Sequence, residues 1–455
     1  MATIQAPGIG SGLDVNDIVT QLMAIERRPI DNLTTKKSFV NAQISAYGSL
    51  KSKVAAFQTA MTNLNSPQKF QVFKASSGND SIMSTSVSSN AVAGNYNIEV
   101  VSLAERDKIA TKAYTDSNTI VGEGTMNISI GANSFELTID SSNNTLAGIR
   151  DAINNATDNT GVSATIVTGD DGARLVLSSK ETGVDNALRI SVTDGDGNNT
   201  DEDGLSALAY NPEGGVQFRA PISSAQNALI RVDGFDVSSN SNTFTGAIDG
   251  VTINAASVGT TTLSVSRNDE KILESVQAFA TAFNALRTEI NNQRKGQLEA
   301  DSTLLTLERQ IFDVLNAGTS IDGSSFSYLI EAGVSINKQG VMEVDSDRIT
   351  EIMNNDFDSF VNLFASESGG FAAKLSTLAN GWLATNGLID SREEGLKTQV
   401  KGMDEQILRM EDRMISVEAR IRAQFSALDT LVSSLNNTSS FLTQQLASLN
   451  NSRNN

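Results

Sequence analysis

The sequence contains no cysteine and no histidine, and only one tryptophan among its 455 residues. Without cysteine or histidine there can be no disulfide, no thiolate or imidazole zinc ligand, no cysteine nucleophile and no Ser-His-Asp triad. A histidine pH switch is excluded for the same reason. These absences argue against an enzyme, and we expect no catalytic residue, no cofactor and no metal.

Positive charge is also scarce, since 34 Lys and Arg stand against 53 Asp and Glu, giving a formal net charge of −19. Such a surface repels nucleic acid and anionic lipid. No run approaches the roughly 20 apolar residues of a membrane span, and the start, MATIQAPGIGSGLD, lacks the basic and apolar regions of a secretory signal. We expect no nucleic-acid partner and no membrane insertion. Taken alone, the missing signal indicates a cytoplasmic protein, whereas the Ser/Thr/Asn/Gly-rich composition suits a chain that is exported unfolded.

The chain exceeds the usual domain size of about 100 to 200 residues, and its pattern changes near residues 70 and 268. Helical periodicity marks both ends, and short alternating runs typical of antiparallel strands fill the middle. We predict an α+β multidomain fold, with long coiled-coil helices from both ends and a central β-rich head of two small domains. The expected segments are a helical segment (1–70), head strands (71–115), an inserted outer head domain (116–224), more head strands (225–267), a helical domain (268–395) and a coiled coil (396–455).

Two apolar stripes predict two helices in the first segment. The longer helix follows apolar positions spaced three and four apart over residues 40–64. A shorter helix precedes it, with Ser11 and Asp14 at capping-box spacing, and is expected to end or kink at Pro29. One side of this shorter helix carries Val15, Ile18, Val19 and Leu22.

The carboxyl-terminal segment carries an unbroken heptad seam. Its members are Leu396, Val400, Met403, Ile407, Met410, Met414, Val417 and Ile421. Phe425 then arrives four residues later instead of three, and the stripe continues in the shifted frame from Leu428 to Leu449, so one helix with a stutter is expected. Stripes of this kind usually mark an intramolecular core. Long one-sided stripes at both ends also fit pairing of the ends followed by packing against neighbours, and we predict an assembly interface from Val15, Ile18 and Leu22 with the seam as far as Leu428.

The middle of the chain predicts two β-hairpins around a helix. Apolar residues alternate over 126–139 around a turn at Gly131, helical spacing covers 145–156, and a second hairpin spans 161–179. The acidic run DGDGNNTDEDG resembles a calcium loop at its first positions, with Asp194 leading. It then places Asn199 where an EF-hand needs Gly and Leu205 where the bidentate Glu belongs. We therefore interpret it as a solvated acidic loop.

Three stretches resemble the flagellar hook-associated protein 2 family, the filament cap proteins. The start, GIGSGLDVNDIVTQLMAIERRPIDNL, is similar to the amino-terminal signature of the family, and TLAGIRDAINNATDNTGVSATIV is similar to an insertion motif that flagellins share. The later stretches LIEAGVSINKQGVMEVDSDRITEIMNNDFDSFVNLFA and RIRAQFSALDTLVSSLNNTSSFLTQQL resemble the most distinctive region of the family. Flagellin itself is a structural rival, and the first and last signatures argue against it.

The resemblance implies a cap at the distal tip of the bacterial flagellum, a homo-oligomeric ring, commonly a pentamer, with helical ends that reach down as legs. It implies contacts with flagellin and with the hook-filament junction proteins, and it implies that the cap promotes flagellin insertion and prevents its loss. Export by the flagellar type III route without a cleaved signal peptide, and a cytoplasmic export chaperone on the carboxyl-terminal heptads, are implied as well. The alternative from another class is a surface adhesin whose β head binds a host mucin or glycoprotein.

Overall fold

The computed structural model describes residues 14–199, 201–212, 214–217, 221–321, 324–367 and 369–451. Packing divides them into two units. A helical unit combines both chain ends, through Phe70 and from Leu273 onward, and a β-rich unit comprises Gln71–Ile272. The predicted fold class, helical ends with a β-rich middle, is confirmed.

The helices of the described residues run in both units. They are α1 (Val15–Thr62), α2 (Leu146–Asn155), α3 (Asp269–Arg294), α4 (Ser302–Ala317), α5 (Ser346–Asn355), α6 (Phe357–Ala365), α7 (Phe371–Leu383) and α8 (Leu388–Asn451). The long terminal helix predicted from the heptads is present, and it begins before residue 396. The helices α4 to α7 subdivide a region that the sequence pattern described only as helical.

The helix α1 is continuous through Pro29, which corrects the expected end or kink. A proline in a helix interior removes one N–H and costs about 3 kcal/mol. Met23 and Ile30, on either side of it, are both buried against α8, so packing on one face offsets the lost hydrogen bond. The helix begins at the predicted cap, where the Asp14 carboxylate accepts a hydrogen bond of 3.0 Å from the Asp17 N–H. Ser11 lies outside the described residues.

Aromatic rings form the centre of the helical unit. Phe57 of α1 lies 6.3 Å from Phe279 of α3, and Phe279 lies 6.5 Å from Phe364 of α6, measured between ring centroids. Phe70 packs edge-on against Phe360 at 6.1 Å. Tilted and edge-on pairs at such distances add about 0.5–1.5 kcal/mol each beyond the burial of their area. This cluster fixes the carboxyl-terminal half of α1 against α3 and α6.

The strands belong mostly to the β-rich unit. They are β1 (Phe73–Ser77), β2 (Met83–Val87), β3 (Gly94–Ser102), β4 (Lys108–Ala110), β5 (Gly124–Ile130), β6 (Asn133–Ile139), β7 (Val162–Gly169), β8 (Gly172–Ser179), β9 (Leu188–Asp194), β10 (Tyr210–Asn211), β11 (Val216–Gln217), β12 (Ala228–Val232), β13 (Phe235–Ser239), β14 (Thr243–Ile248), β15 (Val251–Ala255), β16 (Gly259–Arg267), β17 (Val334–Ile336) and β18 (Met342–Val344). The last two form a small antiparallel hairpin in the helical unit.

The β-rich unit contains two hydrophobic cores. The inner core lies between an antiparallel sheet in the order β1-β16-β3-β12-β13 and a second sheet in the order β14-β15-β2. The outer core lies between the sheets β11-β10-β9-β5-β6 and β4-β8-β7, and α2 buries Ile149 and Ile153 there. The Thr145 hydroxyl caps α2 by accepting from the Gly148 N–H at 3.1 Å.

Both predicted hairpins are present, and they belong to different sheets. The pair β5-β6 joins β9, whereas the pair β7-β8 joins β4. The strand β4 falls within the segment 71–115 that the sequence assigned to the inner head, yet it pairs with β8 and buries Ile109 in the outer core. Sequence proximity misplaced this strand because only the long-range pairing of Ile109 with Leu177 reveals its sheet.

Candidate assembly interface

The two chain ends pack against each other within one chain. Residues 15–40 of α1 and 400–425 of α8 run antiparallel and form what we call the two-helix hairpin. Its seam buries apolar side chains from both helices at spacings of three, four and seven. The buried members are Val15, Val19, Met23, Ile30, Met414 and Val417, with Ile407, Met410, Ile421 and Phe425 packed against them.

Two polar contacts fix the register of the two-helix hairpin. Near one end, Arg422 donates to the Asn16 side-chain oxygen at 3.0 Å, and the same guanidinium pairs with Glu418 at 2.8 Å. Nearer the other end, Lys37 forms an ion pair with Asp404. These groups are partly exposed, so each pair contributes only about 0–1 kcal/mol. The two contacts are informative about geometry, because they show which residues of α1 and α8 lie at the same height along the two-helix hairpin.

A buried polar cluster follows the two-helix hairpin along α1. The Tyr47 hydroxyl donates to the Asp301 carboxylate at 2.5 Å, and Arg392 of α8 donates to the same carboxylate oxygen at 3.0 Å. Burial, and then the bond to Asp301, raises the pKa of Tyr47 to about 12. Burial alone would raise the pKa of Asp301, but the hydrogen bonds from Tyr47 and the Thr303 N–H outweigh it, so this pKa is lowered. The cluster holds α1, α4 and α8 together.

The predicted interface residues fall into three groups. Most pack in the seam described above. Leu396 and Met403 are buried and Val400 and Ile18 are half-buried, and Met403 shares with Val40 a groove of about 430 Å³. Leu22 and Leu428 are exposed, so the structure does not bring them into the intrachain seam. Whether any of these residues meets a neighbour in an assembly stays a prediction.

Beyond Phe425 the apolar stripe of α8 continues without cover from this chain. Its large side chains are exposed, and those of the described residues are Leu428, Leu431, Leu435, Leu442 and Leu446. Most of them repeat at heptad spacing, which is typical of a helix that pairs with a partner. An exposed apolar stripe of this length is a candidate interaction surface.

Sequence reasoning missed the members of α1 that complete the seam. Met23 and Ile30 lie seven residues apart, at a heptad spacing that runs straight across Pro29. This spacing is present in the sequence, but the helix break expected at Pro29 concealed it. The cluster of Tyr47, Asp301 and Arg392 had no such signal because its members lie far apart along the chain.

The acidic loop of the β-rich unit is held by its own chain. A carboxylate oxygen of Asp194 accepts from the Ser206 N–H at 2.7 Å, and Leu205 is fully buried in the outer core. Asp201 accepts from the Ser206 hydroxyl at 2.6 Å. Across the described ranges, no group of three or more Asp and Glu is arranged to hold a metal ion, and no helix there is long and apolar enough to cross a membrane.

Three family descriptions match this chain. Flagellar hook-associated protein 2 N-terminus covers residues 11–107, flagellin hook IN motif covers 125–181, and flagellar hook-associated protein 2 C-terminus covers 225–437. The B-type flagellar hook-associated protein 2 of Pseudomonas aeruginosa is 34% identical over 97% of both chains. The chain belongs to the flagellar hook-associated protein 2 family.

Further relatives agree with this assignment. The flagellar hook-associated protein 2 of Escherichia coli K12 is 30% identical over the full length of both chains. The crystal structure of the D1-D2-D3 domains of the flagellar cap protein FliD from Escherichia coli superposes with a TM-score of 0.65 at 29% identity, covering 77% of this chain and 99% of that one.

Membership of the flagellar hook-associated protein 2 family confirms the function predicted from the sequence, a structural cap of the bacterial flagellar filament. The family is one of structural cap proteins and is not known for an enzymatic activity. The comparisons give no support to the alternative of a host-binding adhesin. They also separate the chain from flagellin, since the flagellin motif covers only residues 125–181 and the two hook-associated protein 2 regions flank it.

Proposed function

We propose that this chain assembles into a ring at the extracellular tip of the filament. The family resemblance implies that this ring is a pentamer. In that ring the helical ends serve as legs that dock on flagellin and promote insertion of the next subunit. Contacts with the hook-filament junction proteins belong to the same proposal. The observation that supports this proposal is the exposed apolar stripe of α8 beyond Phe425. A heptad stripe that is not covered by its own chain is typical of a helix that packs against a partner.

The same stripe has to be covered before assembly. A cytoplasmic chaperone on residues 428–449 would shield it, and the flagellar type III route would then deliver the chain unfolded and without a cleaved signal peptide. The absence of disulfides removes one covalent obstacle to such unfolded passage. Once outside, α1 and α8 would pair through the seam, leaving the remainder of α8 for the filament.

The test uses two exposed positions of the stripe, Leu435 and Leu442. Replacing both with Asp leaves the fold of the free chain unchanged, because neither side chain is buried in it. In a strain that carries this variant as its cap, we expect flagellin to leak into the medium and filaments to be few or short. The matched control replaces Asn437 and Gln444, which lie off the stripe, with Asp. Normal filaments from the Leu435 and Leu442 variant, with flagellin retained, would overturn the proposal.

A further inference from the structure

The two-helix hairpin exposes two flanks beside its seam. At 3.6 residues per turn, neighbouring positions point about 100° apart, so residues just before a seam position lie on one flank and residues just after it on the other. In an antiparallel pair, the preceding positions of both helices share one side. The contacts agree with this, because Phe39, which precedes Val40, and Gln399, which precedes Val400, line the same groove.

We call the side of the preceding positions the basic flank. Its exposed large apolar side chains are Leu22, Ile25 and Phe39. Its charged side chains are all cations, namely Lys36, Arg409, Arg413 and Arg420. An apolar centre surrounded by charge of one sign is the anatomy of a binding surface with a charged rim.

The side of the following positions is the acidic flank. It exposes Leu408 and Ile415, and on α8 it carries Asp404, Glu411 and Glu418. On α1 the same side adds Asp17 and Asp31. Arg27, Lys401 and Arg422 also lie there. Arg422 is paired with Glu418 and Lys37 with Asp404, so five carboxylates stand against four cations and this flank keeps a net negative charge. The two flanks of one hairpin therefore match each other in chemistry: each has exposed aliphatic side chains, and their charges are opposite.

The exposed apolar side chains of the two flanks also lie at the same height along the two-helix hairpin. Asn16 lies beside Arg422 and Lys37 beside Asp404, which places Ile25 at the level of Ile415 on the opposite side of the hairpin. Ile25 is 56% exposed and Ile415 is 69% exposed. A copy displaced sideways, with no shift along the helix axes, would set Ile25 of one chain against Ile415 of the next. A head-to-tail contact without axial rise can close into a ring when the rotation between successive copies closes, whereas one with rise makes an open helix.

We propose that a second copy of this chain docks on the two-helix hairpin, with the basic flank of one copy against the acidic flank of the next. This inference rests on the proposed function, in which copies of the chain form a ring, and it names the surfaces that meet. The complementarity of the two flanks selects another copy as the occupant over an unrelated protein. Each copy contacts one neighbour through its basic flank and the other neighbour through its acidic flank, so no flank stays free in the ring.

Single introduced cysteines test the pairing, since the chain has no thiol of its own. Ile25→Cys is made in one preparation of the full chain and Ile415→Cys in another, and a short bis-maleimide is added to each and to their mixture. We expect covalent dimers from the mixture and few from either variant alone. The control pairs Ile25→Cys with Asp412→Cys, on the outer face of α8, and should give few dimers. Dimers from either variant alone, or equal yields from the control, would overturn the head-to-tail contact.

Charge exchange gives an independent measurement. Glu411→Lys and Arg413→Glu each place like charges across the contact, and we expect each to raise the concentration needed for assembly by about fivefold in sedimentation velocity. The double variant restores opposite charges and should recover assembly. Asp412→Lys, with the same change in net charge as Glu411→Lys, should have little effect. Failure of the double variant to recover assembly would contradict the proposal.

The outcome for filaments separates this inference from the proposed function. If the Ile25 and Ile415 cross-link is absent while the wild-type chain still forms rings and retains flagellin, the flanks are wrong and the cap function stands. If Ile415→Cys cross-links to added flagellin and not to a second copy, the acidic flank faces the filament and the inference is wrong. If the wild-type chain forms no ring and its loss leaves filaments normal, the proposed function itself fails.

Discussion

The Tyr47 hydroxyl of α1 donates a 2.5 Å hydrogen bond to the carboxylate of Asp301, which lies 254 residues further along the chain. Asp301 also caps α4 by accepting from the Thr303 N–H at 2.9 Å, and it binds Arg392 of α8. One buried carboxylate therefore joins three helices of the helical unit. This contact makes the stability of that unit depend on the protonation of a tyrosine.

Tyr47→Phe is expected to lower the free energy of unfolding by about 1–2 kcal/mol near neutral pH, because Asp301 loses one charge-assisted hydrogen bond. The pKa of Tyr47 is raised from 10.0 to about 12 in the folded chain. Its contribution is thus fully present below pH 10 and is lost as the pH rises toward 12. Urea unfolding of both chains at about pH 8 and about pH 11 should show the difference shrinking at the higher pH. An equal difference at both pH values would contradict this account.

Met414→Asp is expected to open the two-helix hairpin. The Met414 side chain is buried in the seam with Val15 and Val19, and burying an unpaired charge costs several kcal/mol, so the helices separate instead. Hydrogen exchange should speed up over residues 15–40 and 400–425 and stay unchanged in the β-rich unit. The control is Ala419→Asp on the exposed outer face of α8, where only helix propensity is lost, about 0.5–0.7 kcal/mol. Unchanged exchange in the Met414 variant would show that the seam contributes little to the pairing.

Gly131→Ala is expected to destabilise the outer core far more than Gly197→Ala. Both glycines have a positive φ, 55° and 88°, which costs an alanine about 1–2 kcal/mol. At Gly131 a Cβ would also overlap the backbone carbonyl oxygen of Asp185, whereas at Gly197 nothing lies within 4 Å. The pair therefore isolates the steric contact from the backbone strain. Equal losses in thermal unfolding of the two variants would mean that the turn at Gly131 moves freely away from Asp185.

Asp194→Ala is expected to cost about 1–3 kcal/mol, because it leaves the buried Ser206 N–H without its acceptor. Asp196→Ala in the same loop should stay within about 0.5 kcal/mol, since Asp196 is exposed to solvent. Thermal unfolding is measured with and without calcium, and neither melting temperature should respond to it. A rise with calcium that disappears in either variant would restore the calcium-loop interpretation that the sequence argued against.

The sequence alone predicted the elements whose signals are local. The heptads of α8, the stripe over residues 40–64 and the two hairpins around α2 follow from periodicities of 3.6 and 2, which are properties of neighbouring residues. The family signatures, and with them the cap function, were equally readable, because a motif needs only its own residues. Where a local rule misled, at Pro29, the reason is that packing of Met23 and Ile30 on α8 outweighs a local cost.

Tertiary structure decided everything that joins distant parts of the chain. The pairing of β4 with β8, the packing of Val15 and Val19 on Met414 and Val417, and the bond of Tyr47 to Asp301 all join residues far apart in the sequence. No periodicity encodes which stripe meets which. The register of α1 on α8 places Ile25 and Ile415 at one level on opposite flanks, so the proposed ring contact is visible only in the folded hairpin. A sequence specifies which faces are apolar, while the partner of each face is chosen by the packing of the whole chain.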